Sequence, residues 1–293
     1  MKIIPITDLT EQLNTSPLAL ALGNFDGVHR GHLALLDKAR ASKLTSAVFT
    51  FGDKASGVIT PLAEKARLFA ENGISQLFVA PFSLFRELSP EAFLCYLKDK
   101  LSARELICGY NFRFGKGASG NADTLLSLAK DKGLHASVIE QVTYQGMTVS
   151  ASEIRAALKA ADLEKANALL ARPYSLSGTI TRGFGIGKEL SFPTINLPLS
   201  ESLLPHGVYM TEVVIEGVLY PAITNIGTNP TFEREGVTCE SHLLNASGDF
   251  YKKEAVVRFF AHRRGERVFA TPEELKMAVD ADIAAARLFH ERR

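Results

Sequence analysis

Proline cannot continue a helix, and at Arg172-Pro173-Tyr174 it marks the point where the spacing of apolar residues changes. Before it, short apolar runs alternate with amphipathic stretches. Leu18–Leu22, Ser46–Phe51, Gln76–Ala80, Glu105–Gly109 and His135–Glu140 read as five strands. Between them, about Gly31–Ala41, Pro61–Asn72 and Thr124–Lys132 read as helices, as does a segment opened by Ser89 as N-cap and Pro90 at the first helical position. Two short helices, Ser152–Ala160 and Leu163–Leu170, complete this half. Strands alternating with helices imply a parallel, doubly wound sheet. After Pro173 the period is two. Tyr174–Arg182, Gly207–Glu216, Val218–Ile226, Thr238–Leu244 and Ala255–Phe260 follow one another without helices, and Glu216-Gly217 is a hairpin signal. That predicts an antiparallel sheet closing into a small barrel. Thr271-Pro-Glu-Glu-Leu then starts a C-terminal helix, with Thr271 as N-cap and Glu274 completing a capping box. Leu275, Val279, Ile283 and Ala286 give that helix an apolar face for the barrel. The expected fold class is α/β with two domains, residues 1–172 and 173–293, a division that suits 293 residues.

Composition narrows the partners. A net charge of +1 offers no basic surface for nucleic acid. Cys95, Cys108 and Cys239 lie far apart and form no C-x-x-C, which argues against a disulfide frame or zinc site and fits a reducing compartment. The N-terminus lacks a signal-peptide core, and no apolar run is long enough to span a bilayer. A cytoplasmic protein acting on small molecules, without nucleic-acid or membrane partners and as a monomer or weak homo-oligomer, is expected.

Leu18 to Leu36, LALALGNFDGVHRGHLALL, reads as a buried strand, a tight loop and a helix start. Such loops bind ligands at the carboxyl edge of α/β sheets, and a helix N-terminus suits phosphate. His29 and His32, three apart, can share one side of the first turn and donate to oxygens gaining charge. A lone histidine there would read as surface; two behind Gly-x-Phe-Asp-Gly weigh toward function. Tyr110-Asn-Phe-Arg-Phe-Gly-Lys-Gly117, followed by Gly120, reads equally as an exposed loop or as a site where Arg113 and Lys116 hold phosphates and aromatics pack against a base. Ser150 and Glu153 make a capping box, sufficient as structure; Ser150, Ser152 and Arg155 also make a phosphate cradle.

In the second half, Gly183, Gly185 and Gly187 let backbone N–H groups approach phosphate. Thr194 and Asn196, two apart on an extended segment, face the same way and supply hard oxygens suited to Mg²⁺. Glu240, in the alternating stretch Thr238-Cys-Glu-Ser-His-Leu-Leu, is a candidate base for a primary alcohol attacking a γ-phosphate; an exposed or ion-paired glutamate is the plain alternative.

Taken together, GNFDGVHRGH, Asn111-Phe-Arg-Phe-Gly115 and Ser150-Ala-Ser-Glu-Ile-Arg155 resemble the adenylyltransferase half of the bifunctional prokaryotic FAD synthetases. Gly183 through Lys188 to Phe192-Pro193-Thr194-Ile-Asn196, Thr224-Asn225-Ile-Gly227 and Arg264-Gly-Glu-Arg-Val-Phe269 resemble the same family's riboflavin kinase half. The resemblance implies a Rossmann-like nucleotidyltransferase domain followed by a riboflavin kinase barrel, with ATP as co-substrate, Mg²⁺ as cofactor, and riboflavin, FMN and FAD as substrates and products. It places ATP on the first loop, Gly23, Asn24, Phe25 and Asp26, and its distal phosphates on Ser150, Ser152 and Arg155, with Asn111 and Arg113 as further binding residues and with His29 and His32 stabilising the attacked α-phosphate. In the kinase it adds Lys188, Pro193, Asn225 and Arg264 to the glycines as binding residues, Thr194 and Asn196 as metal ligands, and Glu240 as general base. The chain departs from the family at Phe51-Gly-Asp-Lys-Ala-Ser56, where Phe-x-Pro-His-Pro is usual. A second reading therefore keeps the kinase and makes the N-terminal half slow or inactive; a third is a non-catalytic flavin or nucleotide binder.

Overall fold

The computed structural model describes residues 1–52, 57–181, 194–199, 201–228 and 237–293. By its contacts the chain forms two units, Met1–Ala151 and Ser152–Arg293.

In the first unit, strands β1 (Lys2–Pro5), β2 (Leu18–Leu22), β3 (Thr45–Phe51), β4 (Gln76–Ala80), β5 (Ala103–Gly109) and β6 (His135–Ile139) form one sheet in the order β1-β4-β3-β2-β5-β6. Every pairing in it is parallel. β2 is buried along its whole length, as a strand covered on both faces must be. Helices α1 (Arg30–Arg40), α2 (Leu62–Glu71), α3 (Phe82–Phe85), α4 (Pro90–Asp99) and α5 (Ala122–Asp131) connect the strands. Ser89 caps α4 by accepting from the Ala92 N–H at 3.2 Å, as its sequence predicts. β1 is an edge strand that the sequence reading lacks. A second addition is the short hairpin β7 (Thr143–Tyr144) and β8 (Met147–Thr148). Its turn residues Gln145 and Gly146 both have positive φ, 49° and 76°, as a tight two-residue hairpin turn needs. The Arg30 guanidinium stacks 3.8 Å from the Tyr144 ring centroid and ties this hairpin to α1.

In the second unit, β9 (Tyr174–Thr179), β10 (Thr194–Leu199), β11 (Gly207–Ile215), β12 (Val218–Thr228), β13 (Val237–Leu243) and β14 (Glu254–Gly265) pair antiparallel in the order β10-β13-β12-β11-β14-β9. The two edges meet where Thr181 N–H donates to the Asn196 carbonyl at 2.9 Å, so the sheet curls toward a barrel. The β11–β12 hairpin turns at Glu216 and Gly217, both with positive φ. Inside, Thr211, Thr224 and Ser241 form a chain of hydroxyls, fully buried, with links of 2.7 and 2.8 Å.

Helices α6 (Ala151–Lys159) and α7 (Leu163–Leu170) pack with this second unit, which begins about twenty residues before the join read at Arg172-Pro173. Asn167 explains the attachment of α7: its amide donates to the Phe259 carbonyl at 2.9 Å and accepts from the Tyr174 N–H at 2.7 Å. Helix α8 (Pro272–Glu291) lays Ile283 and Ala286 against Val208, Met210, Ile223 and Leu244. Thr271 caps it, while Glu274 reaches back to the Ala270 N–H instead of closing the box on Thr271. Leu275, expected on the buried face, is exposed.

Candidate active sites

Parallel strands end on one edge, and between β2 and β5 the order of the first sheet reverses, so the loops diverge and leave a crevice. A cavity of about 940 Å³ fills it. Gly23 and Asn24 after β2, His29 and His32 on α1, Asn111 and Arg113 after β5, and Ser150 all line it. The glycine-rich loop after β5 is thus a wall of the site, closed by the reciprocal Phe114–Gly120 backbone bonds of 3.1 and 2.9 Å. Gly120 must lack a side chain, because a Cβ there would meet the Phe114 ring at 2.7 Å.

The histidines form an unusual helix start. His29 is the N-cap of α1, and its Nδ1 accepts from the His32 N–H at 3.3 Å. His32 Nδ1 accepts from the His29 N–H at 3.3 Å, a reciprocal capping box made of imidazoles. The rings stack, 3.6 Å between centroids and 16° from parallel. A ring nitrogen that accepts carries no proton, so each neutral imidazole holds its proton on Nε2. The pair is therefore two N–H donors at a helix N-terminus.

The opposite wall is aromatic. Phe49, Phe51, Phe82, Phe85, Phe93, Phe112 and Phe114 line the cavity. Phe112 and Phe114 lie 14° from parallel, and Phe49, Phe85 and Phe93 meet edge to face. Apart from the loop aromatics, the sequence does not single these residues out as ligand-facing; only the ending of β3 at the carboxyl edge hints at Phe49 and Phe51.

Several residues read as ligand-binding serve the scaffold. Phe25 is buried in the core against Phe69 and His32, its φ of 49° left-handed. Asp26 does not line the cavity; its Oδ1 accepts from the N–H groups of Ile59 and Thr60 at 2.7 and 3.4 Å. Lys116 pairs with Glu87 at 2.9 Å. Ser152 and Arg155 belong to the second unit, so the cradle of Ser150, Ser152 and Arg155 is not assembled within the first. The altered stretch Asp53–Ser56 lies outside the described residues.

In the second unit, strand pairing puts a row of motif residues side by side. Asn196 pairs with Glu240, Glu240 with Asn225, Asn225 with Val208, and Val208 with Arg264. Directly paired residues share a face with Cβ atoms about 5 Å apart. The neighbouring row sets Thr194 against His242. Thr194 and Asn196 therefore share a face with Glu240 and His242, all half-buried. Burial raises the Glu240 carboxyl above the ordinary glutamate value. Burial, and then Arg287, push the His242 imidazole down. Arg264, read as a binding residue, is engaged elsewhere: its guanidinium pairs with the buried Asp282 of α8 at 2.7 Å. Gly183, Gly185, Gly187, Lys188 and Pro193 lie outside the described residues.

The cysteines are all free, and burial pushes the thiols of Cys108 and Cys239 up to about 12. Among the described residues no group of three or more His, Cys, Asp or Glu could hold a metal ion, and no helix is long and apolar enough to cross a membrane.

Comparison with known proteins matches each half separately and the chain as a whole. A family described as FAD synthetase matches residues 11–153, and one described as riboflavin kinase matches residues 170–290. A bifunctional riboflavin kinase/FMN adenylyltransferase from Pseudomonas fluorescens is 35% identical over 91% of this chain and 91% of its own. One from Escherichia coli K12 is 33% identical over 99% of this chain and 98% of its own. A crystal structure described as a macrolide-efflux protein from Streptococcus pneumoniae superposes with a TM-score of 0.84 at 25% identity, covering 98% of this chain and 99% of that one.

Proposed function

The chain belongs to the bifunctional riboflavin kinase/FMN adenylyltransferases, enzymes of flavin-cofactor biosynthesis, and from that premise we propose how its two activities are laid out. The division into an adenylyltransferase domain, 1–172, and a kinase domain, 173–293, remains our assignment, although α6 and α7 pack with the second unit. Relatives matching over the whole chain favour two working activities over a kinase with an idle N-terminal half or a non-catalytic binder.

In the kinase half, Glu240 takes the proton of the riboflavin primary hydroxyl as that oxygen attacks the γ-phosphorus of ATP and ADP leaves. A carboxyl raised by burial is, once ionised, the stronger base. Thr194 and Asn196 supply a hydroxyl and an amide oxygen on one strand face. That sparse oxygen set fits Mg²⁺, which draws most of its ligands from phosphates and water. Thr194 and Asn196 would hold it, and when bound it neutralises phosphate charge. Asn225 flanks the base, and the glycines Gly183, Gly185 and Gly187 with Lys188 and Pro193 complete the binding residues.

In the adenylyltransferase half, a phosphate oxygen of FMN attacks the α-phosphorus of ATP and pyrophosphate leaves. The Nε2–H groups of His29 and His32 donate to oxygens that gain charge, without a covalent enzyme intermediate. Asn24, Arg113 and Ser150 sit with them, and the phenylalanine wall takes the isoalloxazine ring. What supports this reading most is the cavity itself, with two imidazole donors on one side and stacked aromatics on the other. Cytoplasmic residence, where ATP and free thiols coexist, belongs to the same proposal.

The test is a product assay. Purified protein is incubated with ATP and Mg²⁺ and either riboflavin or FMN, and the flavins are separated. FAD is expected from both. FMN accumulating from riboflavin, with FAD from neither, would overturn the assignment of the cavity.

A further inference from the structure

We propose that Lys65 is a positioning residue for adenylyl transfer, acting through the carbonyl of Asn24; this rests on reading the cavity of the first unit as the FMN and ATP site. Lys65 sits on α2 and is only 6% exposed, a rare place for an ammonium. Its Nζ donates to the Asn24 carbonyl at 2.7 Å, a charge-assisted bond. The fully buried Thr50 at the end of β3 donates its hydroxyl to the same carbonyl at 3.3 Å.

Asn24 lines the cavity, and five residues later the chain reaches His29, the N-cap whose partner is His32. Between them Phe25 and Val28 hold left-handed φ values of 49° and 43°, which β-branched and aromatic residues resist. Such a loop keeps its shape only if its surroundings fix it. Phe25 is fixed by the core, and Asp26 by the backbone of Ile59 and Thr60. Lys65 and Thr50 fix the remaining point, the Asn24 carbonyl. The anchors of Asp26 and of the Asn24 carbonyl all fall between Thr50 and Lys65, the segment that also carries the departure from the family pattern at Gly52 to Ser56. The ammonium thus sets where the donors of the cavity sit, although it is not itself a wall residue.

The experiment measures FAD formation from FMN and ATP at saturating concentrations, with riboflavin phosphorylation by the same preparation as the internal reference. Lys65→Met keeps the length of the side chain and removes the ammonium. Its kcat for FAD formation is expected to fall on the order of 100-fold, the scale of a misplaced site, with a smaller change in KM and with FMN formation unchanged. Lys65→Ala should regain part of the lost kcat when ethylammonium is added. If Lys65→Met does not fold, Thr50→Val tests the same carbonyl through the weaker donor, with a fall of about tenfold expected. Lower thermal stability with kcat within about twofold of the parent would sink the proposal. A parent protein that makes no FAD would instead remove the reading of the cavity, and the proposal with it.

Discussion

The imidazole capping box makes a prediction that two independent donors would not. His29→Ala deletes one Nε2–H, a loss of about 10²- to 10³-fold in kcat for a transition-state donor. It also deletes the acceptor for the His32 N–H, about 1 kcal/mol of helix start, and the ring against which His32 stacks at 3.6 Å. His32 then loses its orientation, so the second donor goes with the first. His32→Ala acts the same way in reverse. The double variant should therefore be about 10³-fold impaired in FAD formation, close to either single one, whereas independent donors would multiply to about 10⁵-fold. His29→Asn separates the two roles. Its amide oxygen can still accept from the His32 N–H and should restore the roughly 1 kcal/mol of stability, but it places no donor where Nε2 stood. The assay is FAD formation from FMN, with riboflavin phosphorylation on the same chain as a check on integrity. Multiplicative losses in the double variant would falsify the coupled arrangement, and full recovery of FAD formation by His29→Asn would refute the donor role of His29.

Glu240→Gln should cost FMN formation about 10²- to 10⁴-fold and leave FAD formation from supplied FMN intact. Because burial raises its carboxyl and the ionised form is the base, kinase activity should fall on the acid side at a higher pH than an exposed glutamate would give, which a kcat–pH profile measures. Asn196→Ala should abolish FMN formation while FAD formation persists; loss of both in a folded protein would mean the two sites are wrongly separated. Thr224→Val, in the middle of the buried hydroxyl chain, strips a partner from Thr211 and from Ser241 and should cost about 2–4 kcal/mol, against about half of that for Ser241→Ala at its end, read from denaturant midpoints. Asp282→Ala leaves Arg264 without its carboxylate and should cost about 3 kcal/mol by the same measurement.

What the sequence discloses depends on how local the physics is. The central strands are legible because a parallel strand covered on both faces must be a continuous apolar run, as Leu18–Leu22 is. β1 is not, since Lys2–Pro5 is short, lies at an edge and buries only Ile4. The Thr143–Thr148 hairpin shows only Gln145-Gly146 as a signal. His29, His32 and Glu240 can be proposed from residue type and spacing, whereas the reciprocal capping of the two histidines appears only in the structure. The scaffold roles of Phe25 and Asp26 are not legible, because a motif suggests that a whole loop faces its ligand, whereas a loop with left-handed residues needs anchors. The pairing of Arg264 is not legible in its own motif because its partner Asp282 lies eighteen residues away, on α8. Lys65 reads as an ordinary helix lysine for the same reason; its partner is 41 positions earlier in the chain.

The alternation along β13 has an evolutionary edge. Cys239 and Ser241 point into the barrel, and Glu240 and His242 to the other face. A single inserted or deleted residue upstream in this strand would exchange the two sets, burying a carboxylate and turning a hydroxyl outward. The strand is thereby closed to length variation: a change that spares its chemistry must also spare its frame, and drift in this half is confined to substitutions and to the loops.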